Sequence, residues 1–494
     1  MNPHRSDSIA KGDRWQAVRI FLPIILALVI ATWVNLPLFH DGAAYLYQLM
    51  RTNALTVMHQ RFSAFLVQVP ILLSRRLLAA SHLDDAMPLM RFLFCLGYSF
   101  IPLMCLLMCW SVVQEETKRL LIWPWLIIVF VNLVNFSWVS EILMALQLSC
   151  PLTLGILNVP LNPSTKRTSS WMWIVLISLS IIIFWLHSLV ILIFATVTLG
   201  MLCLGFCPLP AASTPSASAS SSSASLPEIK RGSYRLFYRQ MALLFGSVTL
   251  MRIGWAIATL NSYEKGFLAP HQRNQYLFFS STADRVLLIS SVAIGGLCLV
   301  ANYLNHRPQW VSRLYRCGMG LAIAAAAMWI VQFEHNLFQL KTGLSIGASL
   351  VLLLLMCLDA LPYPSKDPAP PPSPSKARET VLRQRLMMTL SLIFLTVMLT
   401  KSIMWHRALH HLRIVMVTSP TECVERYGRD FDWLYQGSYQ MLNHWSLPIL
   451  ALLQSDRSMP KVVITENCQG YGTWHDVDLY PWGKIPKDQL QPQL

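Results

Sequence analysis

The sequence predicts an all-α polytopic membrane protein of about eleven transmembrane helices, with a small α/β domain at its C-terminal end outside the membrane. Composition is the first reason. Of 494 residues, 54% are hydrophobic and only 13% are charged, about half the charged share of a soluble domain. Mean hydropathy is +0.47. The second reason is that the apolar residues fall in runs long enough to cross a bilayer, about 20 residues each. The third is that basic residues are shared unevenly between alternate loops. Together these exclude a soluble enzyme, a disordered chain and a disulfide scaffold. The net charge of +15 would suit nucleic acid, but basic excess accompanies orientation in a membrane chain. No basic aromatic motif is present, so no nucleic-acid partner is expected.

The candidate spans, in order, are 20–38, 88–112, 120–136, 141–160, 171–186, 188–206, 241–260, 286–304, 317–333, 344–361 and 387–403. The stretch 171–206 is about twice one span and divides at Trp185-Leu186-His187-Ser188. The first run is too long for a cleavable signal peptide and no small-x-small site follows it. The segment 62–83 is interrupted by Arg75 and Arg76 and diluted by Gln68 and Pro70. It reads as an interfacial helix on the outer face, so that 42–83 forms an interfacial pair.

With the N-terminus in the cytoplasm, the inner loops carry more than twice the Lys and Arg of the outer loops before the tail. That bias orients the chain as a multi-pass protein of a cell inner membrane, C-terminus in the periplasm. The membrane domain is 1–403 and the outer domain 404–494. The Ser/Ala-rich 211–225 and Pro-rich 362–374 stretches read as solvated linkers. No internal repeat is evident.

In the tail, 413–417 and 461–465 read as short strands and 430–455 as helical, ahead of the Gly/Trp/Tyr-rich Gln469-Gly-Tyr-Gly-Thr-Trp-His-Asp. All but two of the cysteines sit in or beside apolar runs, where they act as small hydrophobes. The exceptions, Cys423 and Cys468, lie in the tail and can pair in an oxidising compartment. Trp474-His475-Asp476 and Asn443-His444-Trp445 suit either sugar stacking or packing of a small domain. His406 and His410 are spaced i,i+4, but with His411 they read as an interfacial basic cluster, a third metal ligand being absent.

Chemistry concentrates after the first span, at Phe39-His40-Asp41-Gly42-Ala43-Ala44-Tyr45. An acid stands where the chain leaves the bilayer, and Tyr45, Leu49 and Thr52 then recur at helical spacing. Asp41 can cap that helix or present a carboxylate to a cavity at the membrane surface. This segment resembles the acidic motif in the first extracytoplasmic loop of GT-C fold glycosyltransferases, which use polyprenyl-phosphate-linked sugars. In that family the motif is often a pair of acids before an Ala/Tyr-rich helix. Here Gly42 stands in the second acid's place, which leaves a two-carboxylate metal arrangement one ligand short. A divalent metal ion stays open as a cofactor.

The resemblance implies Asp41 as the base that takes the acceptor's proton and Glu141 as the second acid of an outer loop. It implies a polyprenyl-phosphate-linked sugar as donor, membrane lipid as surroundings, and a glycan, lipid or protein as acceptor. His40 and Tyr45 flank the base. Arg61 can hold a phosphate or snorkel, and His187 occupies a tight outer turn. Lys265, His271 and Arg273 lie in a loop suited to clamping a phosphate. Arg252 sits within the seventh span, where a charge needs a cavity or a partner. Two other readings stay open: a lipid or glycan transporter or flippase with polar groups near mid-membrane, and a non-catalytic membrane subunit of an envelope polysaccharide system. No Walker A loop, GxGxxG, HExxH or GxSxG motif occurs.

Overall fold

The computed structural model describes residues 3–39, 41–52, 54–55, 65–78, 86–113, 115–134, 139–159, 166–206, 226–259, 342–360, 374–425, 447–455 and 461–464. Among these the chain is overwhelmingly helical. The helices are α1 (Pro3–Trp33), α2 (Asp41–Thr52), α3 (Phe65–Leu78), α4 (Ala86–Val112), α5 (Ile122–Val134), α6 (Glu141–Asn158), α7 (Lys166–Phe184), α8 (Val190–Phe206), α9 (Leu226–Ala258), α10 (Thr342–Asp359), α11 (Pro374–Thr418) and α12 (Leu447–Gln454). Two short strands, β1 (Cys423–Glu425) and β2 (Val462–Ile464), pair in parallel with Val424 opposite Val463.

Among the described residues, four helical segments are long and apolar enough to cross a membrane: Pro88–Val112, Glu141–Asn158, Tyr234–Ala258 and Val381–Thr418. Ala17–Trp33, Ser170–Phe184, Val190–Phe206 and Ile346–Asp359 are shorter apolar helices. The expected spans 286–304 and 317–333 lie outside the described residues. On α9, Leu243, Leu250 and Ile257 are each more than two-thirds exposed, an apolar surface that suits hydrocarbon rather than water.

Helix α6 is the axis of the bundle. Every one of its residues is buried, and it packs against α4, α5, α7, α8 and α10. Between helices in lipid, association rests on close packing and interhelical hydrogen bonds. Gly200 of α8 supplies the first: a Cβ there would stand 2.8 Å from that of Cys357 on α10. Trp125 of α5 supplies the second, donating its indole N–H to Ser391 Oγ of α11 at 3.1 Å. Phe21, Trp110 and Trp125 meet edge-on, at 5.4 to 6.4 Å between ring centroids, and join α1, α4 and α5.

Two ends of the bundle are distinct. At the first, Arg119 donates to the carbonyl of Asp359 at 2.8 Å and Trp123 to its carboxylate at 3.0 Å. Thr117 there bonds Asn158, and Arg239 donates to the Gly205 carbonyl at 3.0 Å. The second end holds the start of α6, the turn between α7 and α8, and the close of α1. Helix α1 stops because Asn35 takes the left-handed conformation, φ 57°, which asparagine tolerates better than most residues. Pro37 follows in a single 3-10 turn, Leu36–Leu38, which turns the chain into α2.

The segment 413–417 is a correction. It is helical, part of α11, which runs unbroken from Pro374 to Thr418. The β-branched Ile414, Val415 and Val417 favour a strand by local propensity, yet Leu412, Val415 and Met416 are buried at helical spacing, and that packing decides. The expected strand at 461–465 holds as β2. Helix α12 docks on α2 and α11, and β2 packs on α12. Arg91 donates to the Leu453 carbonyl at 3.1 Å and to Gln454 Oε1 at 2.8 Å, and Arg413 donates to the same Oε1 at 2.8 Å. Lys461 Nζ donates to the carbonyls of Met416 and Ser419 at 2.5 Å. Replacing Arg91 or Gln454 by Ala is expected to lower stability by about 1–3 kcal/mol each. Because the two share bonds, the double variant falls short of the sum; thermal unfolding in detergent reads this.

Candidate functional site

The site is built at the second end of the bundle, by the segment from Asn35 to Thr52 and the start of α6. Trp405 of α11 donates its indole N–H to the Asn35 carbonyl at 2.9 Å and meets Phe39 edge-on at 5.5 Å. Cys95 of α4 donates to Asn35 Oδ1 at 3.7 Å. These contacts fix where α2 begins. Asp41 is its first residue, so the acid stands in the opening turn, where a negative charge is favoured by the helix dipole.

Tyr45 comes one turn later and is buried. Its hydroxyl donates to Glu141 Oε1. Glu141 is the first residue of α6, buried, and follows an extended Ser140 whose side chain makes no capping bond. Two site residues expected from sequence, 96 positions apart, are thus joined directly. Tyr47, on the same helix, is fully buried, and its hydroxyl has no hydrogen-bond partner among the described residues. Burial pushes its hydroxyl up to about 12, against a smaller opposing pull from Arg51. Tyr47 therefore stays protonated across the physiological range.

Gly42 accounts for the missing second acid. A Cβ at this position would run into the Pro37 carbonyl, with the Val139 side chain 3.0 Å away. The 3-10 turn folds back on α2 so closely that only glycine fits.

The remaining expected residues fall elsewhere. His187 sits in the turn between α7 and α8, half-buried, its Nδ1 accepting the Leu189 N–H at 3.0 Å. Arg252 is buried on α9 with its guanidinium 5.4 Å from the Phe184 ring centroid. Phe184 is the last residue of α7, so the guanidinium is level with that helix's end rather than with mid-bundle. Trp185 and Trp255 meet edge-on beside it at 5.0 Å. His187 and Arg252 thus gather at the α7–α8–α9 corner, while Tyr45 and Glu141 meet under α2. His40, Arg61, Lys265, His271 and Arg273 lie outside the described residues, as do Trp474-His475-Asp476 and Asn443-His444-Trp445. His406 and His410 are exposed on α11. Among the described residues no group of three or more His, Cys, Asp or Glu is placed to hold a metal ion.

Sequence reasoning passed over Lys401. It is fully buried on α11, and its ammonium donates to the backbone carbonyl of Asn132. The signal was present, since a lysine inside an apolar run is itself a pointer to function or pairing. Cys423, one of the two tail cysteines, is disulfide-bonded; Cys468, its expected partner, lies outside the described residues. No protein-family model matches the chain, and no curated protein and no solved structure matches it either.

Two substitutions probe this geometry. Tyr45→Phe leaves Glu141 without its phenol donor and is expected to cost about 1–3 kcal/mol. Gly42→Ala forces the Pro37 turn away from α2 and is expected to cost about 1–3 kcal/mol. Unfolding midpoints of the purified variants in detergent check both.

Proposed function

We propose that the chain is a membrane glycosyltransferase of the GT-C type. It moves a sugar from a polyprenyl-phosphate carrier to a glycan, lipid or protein acceptor on the extracytoplasmic face of a cell inner membrane. The observation that carries this reading is the Tyr45–Glu141 hydrogen bond. It draws the helix that opens with Asp41 and the helix that opens with Glu141 to one end of the bundle.

Orientation is supported from two sides. Basic residues are frequent at the Asp359 end, including Lys118, Arg119 and Arg239, which supports a cytoplasmic side there. A disulfide at Cys423 fits an oxidising compartment at the other end.

The chemistry follows from these placements. Transfer needs a base for the acceptor hydroxyl and stabilisation of the departing phosphate. Asp41 takes the proton as the acceptor oxygen bonds to the sugar's anomeric carbon and the bond to the carrier phosphate breaks. Glu141, held by Tyr45, orients the acceptor or the sugar.

Asp41→Asn is expected to lower kcat by about a hundredfold or more with folding retained. Glu141→Gln, which keeps a polar group for Tyr45, is expected to lower it less. Purified protein in nanodiscs, supplied with a panel of polyprenyl-phosphate sugars, provides the measurement. Full activity of Asp41→Asn removes Asp41 as the base.

A further inference from the structure

The end of the bundle that carries Glu141 is a closed ring of contacts. On α11, Trp405 grips the Asn35 carbonyl at 2.9 Å and the Phe39 ring at 5.5 Å. From Phe39 the chain enters α2, where Gly42 lies against the Pro37 carbonyl and Val139. Tyr45, a turn further on, donates to Glu141. Val139 and Glu141 lead into α6, and α6 packs on α5. Lys401 closes the ring. It stands one turn before Trp405 on α11 and donates to the Asn132 carbonyl of α5.

Asn132 is two residues from the end of α5. Its carbonyl lies in the last described turn of the helix, towards the negative end of the dipole. The Asn132 side chain turns the other way, its Nδ2 donating to the Ile128 carbonyl at 2.7 Å. A fully buried lysine from a neighbouring helix therefore donates its side-chain nitrogen into the last described turn of α5, where the helix dipole favours positive charge. The chain leaving that terminus reaches Glu141 within seven residues.

We infer that Lys401 is a positioning residue: by capping the C-terminus of α5 it fixes where α6 begins, and so where Glu141 meets Tyr45. The capping stands on the contacts alone. Its consequence for catalysis rests on the glycosyltransferase reading.

Hydrogen exchange of the full-length protein in nanodiscs tests the capping, and transfer kinetics on the same preparations test the consequence. Lys401→Met is expected to speed exchange about tenfold or more in the last turn of α5 and the first turn of α6, as loss of a charge-assisted bond requires. The α8–α9 pair is expected to stay as protected as in the parent. Lys401→Arg, which keeps charge and donors, restores the protection, and Lys401→Gln, which keeps a donor without charge, lies between. If Lys401→Met does not accumulate, Lys401→Gln reads the same segments. Unchanged exchange at the α5–α6 ends, or uniformly faster exchange over the whole bundle, overturns the assignment. In transfer, kcat is expected to fall about tenfold with KM for the lipid donor unchanged. Faster local exchange with kcat unchanged overturns the link to catalysis. Faster local exchange in a protein that transfers no sugar keeps the capping and removes the glycosyltransferase reading.

Discussion

A carboxylate taken out of water needs a donor, and the second end of this bundle is organised around that need. Glu141 is buried at the head of the axial helix α6 and receives the Tyr45 hydroxyl. Losing one partner of a buried polar pair costs more than the pair contributes, so the bond constrains everything that positions either residue. Tyr45 can reach Glu141 only if α2 starts where it does, and that start depends on Asn35. The left-handed turn at Asn35 ends α1, the Pro37 turn redirects the chain, and Gly42 lets the two approach to backbone contact.

The same logic relates α11 and the C-terminal segment to the site. Helix α11 runs past the level of Trp405 to Thr418 and forms a wall on which α12 rests, with β2 packed on α12. Helix α12 also packs on α2, so the tail covers the helix that carries Tyr45. Arg91, Arg413 and Gln454 share one hydrogen-bonded knot at that contact. That knot ties α12 to α4 and α11.

Much of this was legible in the sequence. The expected spans within the described residues fall on helices, four of which hold a segment long and apolar enough to cross a membrane, since a long apolar run favours internally bonded backbone in lipid. Asp41, Tyr45 and Glu141 could be singled out because polar groups at the ends of apolar runs are few. Their pairing could not, since it arises from packing between elements 96 residues apart. The helix over 413–417 was missed because β-branched residues give the same local signal whether they line a strand or a buried helix face. Lys401 was overlooked as one charge in a long apolar run, its role visible only once Asn132 was opposite it. Gly42 looked like a lost acid; the Pro37 carbonyl beside it shows that no side chain fits.

The proposed transfer requires the lipid-linked donor to set its phosphate beside the α2–α6 junction, where Asp41 opens α2. Photo-crosslinking with a polyprenyl phosphate carrying a diazirine next to the phosphate, followed by peptide mass spectrometry, tests it directly. The account predicts labelling concentrated on α2 and the first turns of α6, competed by unlabelled polyprenyl phosphate. Labelling spread along the exposed apolar flank of α9, with none at α2 or α6 and no competition, would contradict it.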